Sequence, residues 1–330
     1  MDTKRPTIYD VARAAGVSKS LVSLVLRGAP GVSPSRRTAV LKAIRDLEYS
    51  PSQAAKLLAG TRSKSIGVVI DDYSNLWYVG ILAGIRQVFD ESGFQITLSD
   101  LHRVGDGEQD AIDGFKALHM DGAIIATEPG SLRARDYDFP AVLVGDRETD
   151  IPTIDHVTSD DFKGGYMATR HLIELGHRNI GHVTGLGGTA TKRRLGYERA
   201  MAEASLATLI VGQNGTTDER AGFGGMNALM EATPSITAVF AANDYMAAGC
   251  FAFLRSRGLE MPKDISIIGH DDSPAASEFN LNLTTVAYDA RAIGMLAARL
   301  LLARIESPTR QAERVVVDPV FIPRGSTRRN

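Results

Sequence analysis

From Ser65 onward the chain alternates short β-branched runs with longer amphipathic stretches, and this alternation restricts the fold more than any other feature. Strand-like runs occupy residues 66–70, 95–98, 122–126, 141–144, 180–183, 208–211, 238–240, 265–268 and 315–317. Helical patterns fall between them, at 79–92, 161–175, 193–204, 221–232 and 245–257. Strands separated by helices of this length make βαβ units and parallel sheets. The nine runs fit two doubly wound lobes better than one. Glycines follow several helices in the C-cap manner, as in Leu175-Gly176 and Arg257-Gly258. The full 330 residues exceed what one hydrophobic core covers.

Composition removes several classes. Apolar residues are 44% and charged residues 23% of the chain, which argues against disorder, collagen and coiled coil. No apolar run approaches the roughly 20 residues of a membrane-spanning helix. The start, MDTKRPTIYDVARAAG, is polar and lacks the apolar centre of a secretion signal, so a cytoplasmic location with no membrane partner is expected. A lone cysteine, Cys250, leaves no disulfide framework or cysteine-rich metal site.

Charge is unevenly divided. Residues 1–64 hold twelve Lys/Arg against four Asp/Glu, a net +8. The remainder holds 25 against 35, a net −10. A basic head on an acidic body points to a polyanionic partner for the head alone. A merely solvated basic surface is the alternative.

The head reads as a helix-turn-helix. Thr7-Ile8-Tyr9-Asp10 is a capping box that opens a helix with Val11, Ala12 and Ala15 on one face. Gly16 supplies the tight turn, and Ser18 caps a second helix whose Val22 and Val25 point inward. Ser33-Pro34 opens a third helix, with a hydroxyl cap and proline at its first position. A second helix lying in the major groove presents Ser18, Lys19, Ser20, Ser23, Leu24 and Arg27. Lys19 can donate to guanine and Ser20 can serve either base type, while Ser23 and Arg27 are placed for phosphates. Leu24 offers only apolar contact, for instance to a thymine methyl. Thr7 and Arg36 complete the DNA-contact set. A generic three-helix packing unit is the bland alternative.

The segments TIYDVARAAGVSKSLVSLVLRG and VSPSRRTAVLKAIRDLEYSPSQAAKLLAG resemble the head of the lactose/galactose repressor (LacI/GalR) family. The resemblance runs through essentially the whole chain: NDYMAAG at 243–249 is similar to the family's NDxxAxG segment, and DISIIGHDDSPAASEFNLNLTTV at 264–286 to its DIxVxGxDD…LTTV segment. It implies a DNA-binding domain at 1–50, a hinge helix and linker at 51–64, and an effector-binding and dimerisation body at 65–330. The body resembles periplasmic sugar-binding proteins, with lobes near 65–159 plus 288–316 and 160–287 plus 317–330. In the family, paired hinge helices enter the minor groove and each inserts a leucine into a base step. Leu58 holds that position, with Ala55 a turn earlier. Such a short helix is not stable alone and can fold on DNA. A leucine packed on the body is the alternative.

Between two such lobes, at strand ends, lies a cleft for a small polar ligand. Carried over position by position, its residues are Asn75, Trp77 and Tyr78 after the first strand, then Thr127, Asp146, Arg193, Asn243 and Asp271. The two aromatics match a pair that can stack on a sugar or base face, although a sole tryptophan is often core. Arg193 and Asp271 are expected at βα junctions, gripping one ligand from opposite sides; a salt bridge between the lobes is the alternative. Arg220 aligns loosely with a position often aromatic in the family, which admits an anionic ligand. Leu24 departs from a base-contacting polar residue, so the operator is expected to differ from the usual palindrome. His270 beside Asp271-Asp272 suggests a metal or acid–base site, but a loop histidine at the cleft mouth is the preferred reading. Walker A, GxGxxG and GxSxG sequences are absent, so no catalytic residue, cofactor or metal is expected.

The resemblance therefore implies a transcriptional regulator, a repressor by the family's habit, that binds a palindromic double-stranded operator as a homodimer and answers to a sugar or sugar-like effector. No leucine-heptad tail follows Arg324, which favours a dimer over a tail-built tetramer. A sugar-binding protein without a DNA role and a sugar-converting enzyme are the rivals. The missing leader and basic head oppose the first, and the missing catalytic set the second.

Overall fold

The computed structural model describes residues 6–49, 62–71, 73, 75–101, 107–127, 139–146, 151–213 and 215–330. The hinge positions Ala55 and Leu58 lie outside them. The chain divides into two compact units, residues 1–64 with 119–121, and residues 65–118 with 122–330.

The first unit carries α1 (Ile8–Ala15), α2 (Lys19–Leu26) and α3 (Pro34–Asp46). The Thr7 backbone N–H and hydroxyl both donate to the Asp10 carboxylate, at 2.9 and 2.6 Å, closing the expected box. Gly16 ends α1 at φ 63°, a conformation that favours glycine and turns the chain directly into α2. Ser18 accepts from the Leu21 amide and caps α2. Ser33 does not cap α3 with its side chain, contrary to expectation; its hydroxyl lies 3.4 Å from that of Ser35 instead. Val11, Ala12, Val22, Val25, Val40, Ala43 and Tyr49 form the core between the helices.

The second unit contains two six-stranded sheets. The first joins β1 (Ser65–Ile70), β2 (Gln95–Asp100), β3 (Gly122–Ala126), β4 (Ala141–Val144), β5 (Asp155–Ser159) and β11 (Arg314–Val317) in the order β11-β5-β4-β3-β1-β2, all parallel. The second joins β6 (Ile180–Val183), β7 (Leu209–Val211), β8 (Ala238–Ala241), β9 (Ser266–Asp271), β10 (Thr284–Ala287) and β12 (Val320–Ile322) in the order β12-β10-β9-β8-β6-β7. Only β12 runs antiparallel to its neighbour. Strand order reverses beside β1 and β6, so each sheet has a switch point where a crevice opens at its carboxyl end.

Helices cover both faces. On the first sheet α4 (Trp77–Ser92) packs with α10 (Ala290–Glu306), while α5 (Gly107–Ala117) covers the other side. On the second, α6 (Asp161–Glu174) packs with α7 (Gly188–Glu203), and α8 (Glu219–Ala232) with α9 (Asp244–Ser256). The chain passes from the first sheet to the second between β5 and α6, returns between β10 and α10, and passes again between β11 and β12. Backbones meet where α6 crosses α7. A Cβ on Gly165 would lie 2.1 Å from the Arg193 carbonyl oxygen, and one on Gly196 would lie 2.2 Å from that of Phe162.

The nine expected strands form, with ends moved by a few residues, and β5, β10 and β12 are added. The sequence of β5, DHVTS, reads as polar, yet it is wholly buried. Arg304 and Arg310 neutralise its Asp155, and His156 Nε2 meets the Gly145 carbonyl. Helix α7 begins at Gly188, five residues before the expected 193. Arg193 thus lies inside the helix rather than at a βα junction. Among the described residues no helix is long and apolar enough to cross a membrane.

Candidate functional site

In the head, Ser18, Lys19, Ser20, Leu24 and Arg27 lie exposed on or beside α2, with Ser23 half-buried. Thr7 and Arg36 are exposed on the neighbouring elements. This exposed set is the one expected to read DNA. Lys19 does not extend freely: its Nζ donates to the Tyr9 hydroxyl at 3.4 Å and sits 5.0 Å above the Tyr9 ring. Tyr9, 60% exposed on α1, was missed as a surface residue because its position reads as part of a helix start. Arg37 also turns out structural, donating to the Ala29 carbonyl across the α2–α3 loop.

In the larger unit Asn75, Trp77, Tyr78, Thr127, Asp146, Asn243 and Asp271 follow or end strands at the carboxyl ends of the two sheets. Asn75 accepts from the Trp77 amide and so helps start α4. The Trp77 and Tyr78 rings meet edge to face, 5.2 Å apart. Tyr78 is a core residue, not an open stacking platform: it is buried, and its hydroxyl donates to the Ala126 carbonyl and contacts Asp71, pinning the ends of β1 and β3. Trp77 keeps its ring half-buried and its Nε1 without a partner. Thr127 is buried at the end of β3. Asp146, after β4, pairs with Arg314 at 3.3 Å. Burial and the Asp161 charge push its pKa up to about 6. The β4 end faces the other lobe, for a Cβ on Gly145 would stand 3.9 Å from the Thr189 hydroxyl at the start of α7.

The second lobe holds the centre of the site. Arg193 is buried, and all three of its guanidinium nitrogens are engaged: Nε with Asp161 at 2.7 Å, Nη1 with the Ala242 carbonyl at 2.7 Å, and Nη2 with Asp271 at 2.8 Å. Arg193 and Asp271 therefore touch each other, rather than standing apart across a ligand. Both belong to the second lobe, so the pair does not bridge lobes either. Burial disfavours both charges. The mutual attraction nevertheless holds the guanidinium above its ordinary pKa and the Asp271 carboxyl below its own. Asp271 adopts φ 107° and Asp272 φ 49°, conformations costly for non-glycine residues that cluster at functional sites.

Asn243 caps α9 by accepting from the Met246 amide at 2.7 Å, while its Nδ2 donates to the Thr217 carbonyl. The α8 approach enters the site through Thr217, not Arg220. Arg220 lies exposed beside Glu219, Phe223 and Ala252 on the α8–α9 surface. The structure does not bring it to the cluster around Arg193, and the case for an anionic ligand loses its residue. His270, expected as a loop histidine, is fully buried at the end of β9 between Asp271 and Tyr288. Burial keeps it neutral by lowering its pKa. Among the described residues no group of three or more His, Cys, Asp or Glu is arranged to hold a metal.

Sequence reasoning missed Asp161, Tyr288 and Thr184. Thr184 follows β6, is buried, and has an unpartnered Oγ1. With Trp77 Nε1 it makes two orphaned polar atoms at the carboxyl ends of the two sheets, where unsatisfied buried groups demand an explanation.

Residues 7–52 match the lacI family of bacterial regulatory proteins, and residues 169–327 match the periplasmic binding protein-like domain. The HTH-type transcriptional regulator CelR of Thermobifida fusca is 33% identical over 98% of this chain and 98% of its own length. The solved lac repressor dimer, bound to operator and the anti-inducer ONPF, is 27% identical, covers 98% of this chain and 100% of its own, and superposes with a TM-score of 0.84. A transcriptional regulator CelR–cellobiose complex is 29% identical with the same coverage and a TM-score of 0.71.

Proposed function

We propose, for a chain that belongs to the LacI family of DNA-binding transcriptional regulators, that its effector is a small, neutral, polyhydroxylated molecule held between the two sheets of the larger unit. The carrying observation is the charge of the strand ends. Arg193 is already shared by the Asp161 and Asp271 carboxylates, and the Asp161 charge is felt by Asp146 at the end of β4. Carboxylates accept from hydroxyls, and an anion entering here meets repulsion. Trp77 supplies a flat apolar edge with a spare indole N–H, and Thr184 a spare hydroxyl. Cellobiose, bound by a relative, has this chemistry.

In this reading a homodimer places two α2 helices in successive major grooves of a palindromic operator. Lys19 and Ser20 read bases, and Ser23, Arg27 and Arg36 hold phosphates. Ala55 and Leu58 belong to the hinge that enters the minor groove. Effector bound between the lobes favours one lobe arrangement over the other. By that difference it changes operator affinity. The cell interior is the compartment this function requires.

The test uses the purified full-length chain. A duplex selected from a randomised library should be palindromic and bound by a dimer. Cellobiose, ribose and their phosphate or uronate derivatives are then titrated against the complex. The neutral sugars, or a relative of them, should shift operator affinity while the charged derivatives do not. A response confined to phosphorylated or acidic sugars overturns the neutral-ligand reading, and failure to select any duplex overturns the regulator reading.

A further inference from the structure

Two buried side chains around the cleft have no part in that function as stated: His270 and Tyr288. Tyr288 follows β10 where the chain returns to the first sheet, and its ring is buried in the first lobe's core with Tyr78, Ile81 and Ile293. Its hydroxyl reaches out of that core. It lies 3.2 Å from His270 Nε2 on β9 and 3.2 Å from Asp161 Oδ1 at the start of α6, the opposite chain crossing. His270 Nδ1 is 3.1 Å from Asp271 Oδ1. Arg193 closes the circuit, bonding that same Asp271 oxygen and Asp161 Oδ1. Five side chains thus form one closed buried ring. Helix α6 leaves room for it, since a Cβ on Gly164 would stand 2.5 Å from His270 Nε2 and 2.7 Å from the Tyr288 hydroxyl.

Hydrogen counting assigns the protons. Asp271 is ionised beside Arg193 and can only accept, so His270 Nδ1 carries the hydrogen between them. The neutral imidazole then offers Nε2 as a bare acceptor. Tyr288 has one hydroxyl proton and two acceptors. Asp161 Oδ1 and His270 Nε2 stand at the same 3.2 Å from the hydroxyl, so the one proton is shared between the carboxylate and the imidazole.

We propose that His270 and Tyr288 are positioning residues of the cleft: the Tyr288 hydroxyl fixes the His270 ring, and His270 fixes the Asp271 carboxylate. Because Tyr288 is set in the other lobe's core at a chain crossing, the acceptor that faces the ligand is tied to the angle between the lobes. A ligand that pulls on Asp271 therefore pulls, through two hydrogen bonds, on the segment that joins the lobes. The ligand rests on the effector reading; the ring and its link to lobe angle do not need it.

The test replaces Tyr288 by Phe in the full-length chain, which keeps the ring in its core and deletes one hydroxyl. Histidine side-chain nitrogen NMR should show His270 in the wild type protonated at Nδ1, with a hydrogen-bonded Nε2. In Tyr288→Phe the Nε2 resonance should move to that of an unbonded acceptor. Backbone amide exchange at residues 159–163 and 287–290 should rise about tenfold, the loss expected of one buried hydrogen bond. His270→Phe should raise the same amides and shift the Asp271 carboxyl carbon resonance. A purely space-filling role predicts a lower melting temperature with the Nε2 resonance unmoved in Tyr288→Phe. That result, or unchanged exchange at both crossings, overturns the proposal. Neither measurement contains a sugar. A ring that behaves as described beside a cleft that binds no neutral sugar would sink the effector reading alone.

Discussion

Lys19 is held against Tyr9; in the proposed base-reading role it would lose less freedom on meeting a base edge than an unrestrained lysine does. Lys19→Ala should lower affinity for the selected duplex more than for random DNA, by about 1–3 kcal/mol, while Arg36→Ala weakens both alike. Filter binding on the two duplexes compares the ratios, and an unchanged ratio for Lys19→Ala removes α2 from base reading. Asp271 is a different case, because it is part of the fold as well as of the proposed cleft. Asp271→Ala removes one of the two carboxylates on Arg193 and leaves Nη2 unpaired, which should cost about 1.5–3 kcal/mol of stability in denaturant melts; a normal melt would show the pair to be weak. His182 carries a pH dependence. It stacks between Tyr197 and Phe240 with Nε2 unpartnered, and burial holds its pKa down to about 3. The unfolded chain takes up that proton near 6.5 and the folded chain does not, so this group's contribution to stability is lost as pH falls from 6.5 toward 3. The slope approaches roughly 1.4 kcal/mol per pH unit. Urea melts of wild type and His182→Phe should diverge in slope over that window, and parallel curves would show His182 already protonated in the fold.

Secondary-structure elements here are held by what their ends and crossings permit. Ser18→Ala removes the bond to the Leu21 amide and should cost about 1 kcal/mol of the head's stability, read by thermal melting. The α6–α7 crossing is less forgiving. Gly165→Ala drives a methyl into the Arg193 carbonyl, and both atoms belong to helices that cannot part without moving Asp161 from Arg193. The loss should reach or exceed the roughly 1–3 kcal/mol of ordinary overpacking. Calorimetry checks it, and a wild-type melting temperature would mean that the two helices slide freely.

For the molecule as a whole, charge and topology divide the work. The +8 head is attracted to phosphate, and the −10 remainder opposes non-specific binding. Operator affinity should fall steeply with salt, its logarithm dropping linearly with the logarithm of salt concentration. A titration from about 50 to 200 mM salt should lose on the order of a thousandfold for a dimer making at least six phosphate contacts. A flat response would place DNA recognition elsewhere. Two sheets of the same winding order present their carboxyl ends to one crevice, joined by three chain crossings. Two of those crossings carry Asp161 and Tyr288, so changes in the crevice and changes in lobe angle meet at the same side chains.

The head was legible from sequence because its signals are local. The Thr7–Asp10 box, the turn at Gly16 and the Ser18 cap depend on residues three or four apart, and all formed as read. The nine strand runs were legible because buried parallel strands are written in β-branched residues. Strand β5 was not, since Asp155 is tolerable in a core only beside Arg304 and Arg310, about 150 positions away in the chain. Sequence separation also hid the partners of Arg193, 32 positions away for Asp161 and 49 for the Ala242 carbonyl. Its type and place marked it as important, but a guanidinium can meet a ligand or a carboxylate, and only the close α6–α7 crossing brings Asp161 within 2.7 Å. His270 read as a loop histidine and Tyr288 carried no signal, and the fold made them neighbours across two lobes. Local spacing determined the elements and the class of partner; the identity of each buried pair waited on which strand ends the two sheets brought together.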